Sequence, residues 1–177
     1  MVMKFLRENV WAAVALTLIR IYLGWQWMEA GWHKLTGDQA FSAAGFLKNA
    51  ITNPVADKAT QEAIYPTYTA FLENFALPNV KIINFLIPLG EFLVGLGLIV
   101  GGLTAAAAFF GLMMNFLFLF AGTVSTNPWL TLIGVIVLFA GANAGKFGLD
   151  YFLLPWIRKG WAKLTKRGGG QTTQARL

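Results

Sequence analysis

The feature that most constrains this chain is an almost uncharged run of 64 residues, 82–145, in which Glu91 is the only charged side chain. One membrane crossing takes about 20 apolar residues, so the run is long enough for three crossings. A soluble domain of that length would carry charged residues at short intervals, because its surface must face water. The run therefore predicts three consecutive transmembrane helices. The composition of the whole chain, 56% hydrophobic and 12% charged, points the same way.

Four apolar segments, separated by loops or turn-forming residues, give the predicted architecture. They lie at about residues 10–32, 82–103, 104–124 and 128–144. We interpret the first as a retained helix rather than a cleaved signal peptide, because Arg20 lies at its centre and bulky tryptophans occupy the place of a cleavage site. The sequence therefore predicts an all-α fold, an integral membrane four-helix bundle that occupies residues 1–150.

The distribution of Lys and Arg predicts that both termini are cytoplasmic. Residues 146–177 hold seven basic residues and one acidic residue, which accounts for the whole net charge of +6. The outer segment 36–79, between the first two membrane helices, would then lie outside the cytoplasm. Its helically spaced aromatic residues predict short amphipathic helices over the outer mouth of the bundle. A passive loop anchored by its aromatic residues is the alternative.

The end of the chain, residues 151–177, is predicted to be a basic juxtamembrane tail. It carries Trp156 and Trp161 among its basic residues and directly follows an apolar segment. This pattern is typical of a segment that lies on anionic lipid, and it disfavours nucleic acid as the partner. The glycine-rich and polar last residues, 168–177, are predicted to be disordered.

The composition also excludes several kinds of redox chemistry. The chain has no cysteine, so disulfides, thiolate metal sites and iron–sulfur ligation are excluded. A single histidine, His33, excludes the paired-histidine ligation of a b-type haem within one chain, although a His/Met pair remains formally possible. We therefore expect no metal site and no covalently bound cofactor.

Three polar residues fall near the centres of different predicted helices. Arg20, Glu91 and Asn115 each lie about 11 residues, or roughly 16 Å, into their segments, which is the depth of the bilayer midplane. A charge there costs at least about 2.5 kcal/mol, so such residues normally pair within the bundle. The sequence predicts an ion pair between Arg20 and Glu91, with a hydrogen bond from Asn115. The pair would be either a functional site or a structural link between the first two helices.

A second polar group lies near the outer end of the first helix. Glu29 and His33 are four residues apart and share a helix face, with Lys34 adjacent. We interpret them as lining the mouth of an outward-opening polar pocket, where Glu29 and His33 would carry protons. The alternative for His33 is an ordinary solvated side chain. The Phe- and Met-rich stretch 113–120 is either a packing surface or one wall of an apolar slot for an isoprenoid ring and tail.

Several short motifs, taken in their order and spacing, resemble the DoxX/DoxD family of small four-helix membrane proteins. They are Gly31-x-x-Lys34-Leu35, Pro66-x-Tyr68, Phe71-Leu72, the run from Gly90-Glu91 to Gly101, and Ala144 to Asp150. The resemblance implies a bacterial or archaeal cytoplasmic-membrane protein. The family's namesake is linked to a thiosulfate:quinone oxidoreductase that has a second small subunit. The resemblance also places Arg20, Lys34 and Glu91 at the family's polar positions.

The leading functional hypothesis is the membrane subunit of a quinone-linked oxidoreductase that acts on a small reduced sulfur compound such as thiosulfate. Arg20 would hold the anion or a quinone oxygen, Glu91 would take the proton, and Lys34 would attract the anion. Asn115, Glu29 and His33 would contribute to substrate or quinone binding. One alternative is a non-enzymatic scaffold that anchors soluble redox proteins. Another is a small transporter that acts as a homodimer through the Gly97-x-x-x-Gly101 motif.

Overall fold

In the computed structural model, which describes residues 1–168, the chain forms eight α-helices. Their bounds are α1 Val2–Glu8, α2 Val10–Thr36, α3 Ala44–Thr52, α4 Pro66–Phe71, α5 Val80–Val100, α6 Thr104–Phe120, α7 Asn127–Ala140 and α8 Asp150–Gly168. A π-helical turn, Leu72–Ala76, follows α4, and a 3₁₀ turn, Gly141–Asn143, follows α7. The predicted all-α fold is confirmed.

The four predicted spans correspond to α2, α5, α6 and α7, which pack together as a bundle. The longest of them, α2, has 27 residues and runs on to Thr36, four residues further than predicted. By contrast, α6 ends at Phe120, four residues early, and the chain turns through Gly122 at φ +83°. The helix α8 was not predicted. Of the residues 168–177, which were predicted to be disordered, Gly168 is the last residue of α8. The others lie outside the described residues.

Close contact between α2 and α5 fixes how these two helices are placed along each other. A Cβ atom built on Gly24 would lie 2.8 Å from the carbonyl oxygen of Gly95, and one built on Gly95 would overlap the backbone of Met28. Glycine is required here because the two backbones touch. The Gly97-x-x-x-Gly101 motif is also used within the chain, since Gly97 faces Ala107 and Gly101 faces Arg20. The motif therefore gives no support for a dimer.

The outer faces of the bundle are apolar. Large side chains such as Trp25, Phe85, Leu93, Phe109 and Leu132 are more than half exposed. The buried core is small by comparison, and only 28% of the most apolar stretch of α5 is buried. Exposed apolar surface of this extent is typical of helices in contact with lipid. Among the described residues, α5 is the one helix both long and apolar enough to cross a membrane by itself, while residues 104–120 and 127–143 form shorter apolar helices.

The bundle has two distinct ends. At the loop end, α3 and α4 pack over α5 and α6 through a second apolar cluster that includes Leu47, Leu72 and Ala121. The expectation that residues 36–79 form short helices over one end of the bundle is therefore confirmed. At the terminal end, α1 packs against α7 and the 3₁₀ turn. Asn143 in that turn donates hydrogen bonds to the carbonyl oxygens of Leu6 (2.9 Å) and Asn9 (3.0 Å).

Candidate functional site

The buried carboxylate Glu91 forms an ion pair with Lys34. Glu91 lies in α5, where it faces α2, and its side chain is 3% exposed. Lys34, in the last turn of α2, donates to both carboxylate oxygens, at 2.6 and 2.9 Å from Nζ. The same Nζ lies 5.8 Å from the centre of the Phe41 ring, which adds a weaker cation–π contact. Glu91 is therefore held by the lysine at the end of α2.

The predicted ion pair between Arg20 and Glu91 is wrong. Arg20 is buried at the last turn of α5, where its guanidinium donates to the carbonyl oxygens of Leu98 and Ile99 and, at 3.0 Å, to that of Phe147. The last carbonyls of a helix have no partner within the helix, so a buried guanidinium satisfies them well. Arg20 thus ties the end of α5 to the segment that follows α7.

The prediction failed because it assumed that every helix starts at the same depth. The helix α2 is longer than the others, so counting from Val10 misplaces Arg20 relative to α5. Arg20 lies level with Leu98, seven residues or about 10 Å along α5 from Glu91. Glu91 instead meets Lys34, fourteen residues further along α2.

Asp150 lies near Arg20 and binds the start of α6. Its two carboxylate oxygens accept hydrogen bonds from the backbone N–H groups of Leu103 (2.6 Å) and Thr104 (2.9 Å), at the start of α6. A carboxylate satisfies the unpaired N–H groups of a helix start, just as Arg20 satisfies the carbonyls of a helix end. Space here is tight, since a Cβ atom on Gly148 would lie 2.9 Å from Nη2 of Arg20. This role of Asp150 was not predicted, and Gly148-Leu149-Asp150 is the signal for it in the sequence.

Asn115 does not join either charged group. It is buried in α6, and its Oδ1 accepts no hydrogen bond within residues 1–168. The predicted hydrogen bond from Asn115 to an Arg20–Glu91 pair is therefore absent from the described part of the chain. The contacts between α2 and α5 are made instead by Lys34 with Glu91 and by Arg20 with the end of α5.

A polar cavity of about 280 Å³ lies beside Glu91, toward the loop end of the bundle. It is lined by Gln26, Trp27, Glu29, Ala30, Glu91, Phe118, Thr126, Asn127 and Leu130. Glu29 and the buried Glu91 therefore face one cavity. His33 lies next to it, with Nε2 3.9 Å from Oε1 of Glu29, and both side chains are largely exposed. The structure thus groups Glu29, His33, Lys34 and Glu91 at this end and leaves Arg20 at the other.

An apolar slot of about 130 Å³ lies beneath the loop-end helices. It is lined by Phe46, Leu47, Tyr68, Phe71, Leu72, Ala76, Ile83, Ile87, Met114, Leu117 and Phe118. Phe118 also lines the polar cavity, so the two spaces are neighbours. Met114 and Phe118 belong to the Phe- and Met-rich stretch of α6, which was one candidate for such a wall.

A wider outer groove of about 570 Å³ lies next to the slot, between α4 and the end of α6. Tyr68, Phe71 and Leu117 line both spaces. The Tyr68 hydroxyl donates to the carbonyl oxygen of Leu117 at 2.8 Å, which fixes α4 against α6. Burial raises the pKa of Tyr68 to about 12. The groove and the slot are therefore adjacent, and both are largely apolar.

A family model described as DoxX matches residues 15–126, more than half of the chain, and this range includes Lys34, Glu91 and Phe118. No curated protein and no solved structure matches the chain.

Proposed function

Because the chain belongs to the DoxX family of membrane proteins, we propose that it is the membrane subunit of a quinone-linked oxidoreductase. The reduced substrate is a small sulfur anion such as thiosulfate, and a quinone accepts the electrons. The observation that carries the proposal is the position of Phe118, which lines both the apolar slot and the polar cavity that contains Glu91. A quinone needs both environments: apolar walls for its ring and tail, and ionisable groups for proton delivery.

The stoichiometry of the reaction defines what the protein must supply. Reduction of a quinone to a quinol takes up two electrons and two protons. Two thiosulfate anions release two electrons when they join through a new sulfur–sulfur bond, and they release no proton. The protein must therefore deliver the protons, and Glu91 and Glu29 on the polar cavity form the proposed route. Because the chain has no thiol, electrons pass directly between the bound substrates or through the cofactor of a partner subunit.

The ion pair couples proton transfer to anion attraction in this proposal. While Glu91 is ionised, its charge balances that of Lys34 at 2.6 Å. When Glu91 takes up a proton, Lys34 loses its counter-charge and attracts an anion to the same end of the bundle. Protonation of Glu91 therefore favours binding of the sulfur substrate, and loss of that proton to the quinone favours release of the product.

The remaining predicted site residues have different roles. His33, next to Glu29 at the loop end, exchanges protons with the solvent. Arg20 is not part of the proposed reaction, because its guanidinium is engaged by backbone carbonyls at the other end. Asn115 forms no hydrogen bond with either charged group in the described part of the chain, so it is given no role in the proposed reaction.

We also propose a bacterial or archaeal cytoplasmic membrane as the location, with both termini cytoplasmic and residues 36–79 outside. The support is the concentration of basic residues after Lys146. In that orientation the polar cavity lies toward the outer surface, where a small anion arrives by diffusion. A small partner subunit or a soluble redox protein is the expected partner.

The proposal is tested by quinone binding and by thiosulfate-dependent quinone reduction, measured with the purified full chain alone and with candidate partner subunits. Phe118→Ala should weaken quinone binding, because it removes the wall between the slot and the cavity. Phe116→Ala is the matched control, since this phenylalanine lies on the same helix but is largely exposed. Glu91→Gln should retain quinone binding and lose reduction.

Two outcomes would contradict the proposal. One is equal quinone affinity in the two phenylalanine variants, which would show that the slot does not hold the quinone. The other is neither binding nor reduction by the wild-type chain with any partner. A non-enzymatic scaffold would then account better for the protein, with the Lys34–Glu91 pair as a link between α2 and α5.

A further inference from the structure

Three cations from separate parts of the chain line one cavity at the terminal end. They are Arg7 of α1, Lys146 of the segment before α8, and Arg158 of α8, and the cavity has a volume of about 330 Å³. Its remaining lining residues are Ala142, Asn143, Asp150, Tyr151, Leu154 and Pro155. Like charges repel one another, so an anion placed among these three cations would be stabilised by all of them.

The one carboxylate on the cavity wall is already engaged. Asp150 is buried, and its two oxygens accept hydrogen bonds from the backbone of Leu103 and Thr104. Arg7 donates from Nε to the carbonyl oxygen of Phe139 at 3.0 Å, which uses one of the five N–H groups of its guanidinium. The cavity therefore presents excess positive charge and further hydrogen-bond donors.

The helix that forms one wall has the pattern of a membrane-surface helix. Trp156 and Trp161 of α8 are exposed, and the basic residues Lys159 and Lys163 are interspersed with them. Aromatic rings are favoured at the headgroup level of a bilayer, and basic side chains there are attracted to anionic lipid. The helix therefore suits a position along the membrane surface, beside the cavity.

We propose that this cavity binds the phosphate group of an anionic phospholipid. Arginine and lysine together supply the charge and the donors that recognise a phosphate. Tyr151, Leu154 and Pro155 add apolar contacts on the same wall, which suit the glycerol and upper acyl region of a lipid better than a free ion. The bound lipid connects α1, the segment before α8 and α8 itself, so it fastens the terminal end of the bundle to the membrane.

The test compares two triple variants that lose the same charge. Arg7→Gln/Lys146→Gln/Arg158→Gln removes the cations of the cavity. Lys4→Gln/Lys159→Gln/Lys163→Gln removes three cations of α1 and α8 that do not line it. Native mass spectrometry of the full chain in neutral detergent measures retention of phosphatidylglycerol against phosphatidylcholine of the same acyl chains.

We expect the wild-type chain to retain phosphatidylglycerol in preference to phosphatidylcholine. Each cation lost from the cavity should weaken that binding about fivefold, so the cavity triple variant should lose on the order of a hundredfold. The control triple variant removes no contact with the bound phosphate, and exposed distant charges are screened by salt, so it should stay within about twofold of wild type. If the cavity triple variant does not fold, Arg158→Gln alone should show the single fivefold loss.

Equal losses in the two triple variants would overturn the proposal, because they would show diffuse surface attraction rather than a site. Equal retention of the two lipids by the wild-type chain would overturn it as well. A third arm adds inorganic phosphate. If millimolar inorganic phosphate displaces phosphatidylglycerol, the cavity takes a free phosphate and the lipid assignment is wrong. If displacement fails, the lipid headgroup is the ligand.

Discussion

The sharpest test of the fold is a pair of double-mutant cycles on Glu91, one with Lys34 and one with Arg20. The ion pair joins Lys34 Nζ to Glu91 Oε2 at 2.6 Å, with Glu91 3% and Lys34 29% exposed. Removing one partner of a buried pair leaves the other charge uncompensated, which costs about 3 kcal/mol. Lys34→Met should therefore destabilise the chain by about 3 kcal/mol. In the Glu91→Leu background, the same change should be close to neutral.

The cycle with Arg20 should give a different result. Arg20 lies about 10 Å along α5 from Glu91 and contacts different backbone groups. Substitutions that are this far apart and share no partner add to within about 0.5 kcal/mol. Arg20→Met should therefore cost the same free energy whether residue 91 is Glu or Leu.

Both cycles can be measured by reversible unfolding in mixed micelles, followed by far-ultraviolet circular dichroism. The expected coupling energies are about 3 kcal/mol for Lys34 with Glu91 and less than about 0.5 kcal/mol for Arg20 with Glu91. The reverse ranking would refute the reasoning, because it would place Arg20 next to Glu91 and would restore the pairing that the sequence suggested.

Three further predictions concern Arg20, Gly95 and Tyr68. Arg20→Met should lower the free energy of unfolding by about 4 kcal/mol, because three charge-assisted hydrogen bonds are lost, and a loss below about 1 kcal/mol in the same unfolding assay would contradict this role. Gly95→Ala should lower the unfolding midpoint much more than Gly90→Ala, since a Cβ on Gly90 meets only the end of Met114, at 3.4 Å. The unfolded-state pKa of Tyr68 is about 10 and the folded-state pKa is about 12, so stability present below pH 10 should be lost as pH rises toward 12. Unfolding of wild type and Tyr68→Phe across that range measures the effect, and equal pH dependence would count against it.

The helices of the bundle could be predicted because their signal is local. The run from residue 82 to 145, in which Glu91 is the only charge, and the turn residues within it mark three helices directly. The predicted ends of these helices were less accurate, as at Phe120, because a helix end depends on which backbone groups find hydrogen-bond partners. The helix α8 was missed because its basic residues were attributed to a tail, although apolar and basic residues alternate along it.

The candidate site was only partly predictable. Glu29, His33, Lys34 and Glu91 could be singled out from the sequence, since charge in an apolar helix is costly wherever it lies. The structure places them at one end of the bundle, and their role in a reaction stays a prediction. Phe118 was not singled out from the other aromatic residues of α6. Its importance comes from its place between two cavities, and one helix alone does not show which of its phenylalanines faces the bundle.

The sequence by itself determined that this chain is helical, that its helices expose apolar faces, and that its buried charges require partners. Only the tertiary structure decided which residues are those partners. Pairing depends on how far one helix is displaced along another, and here that displacement is set by backbone contact at Gly24 and Gly95. The need for a partner can be read from the helix that carries the charge. The match between Glu91 and Lys34, which are 57 residues apart in the chain, arises only when the two helices pack.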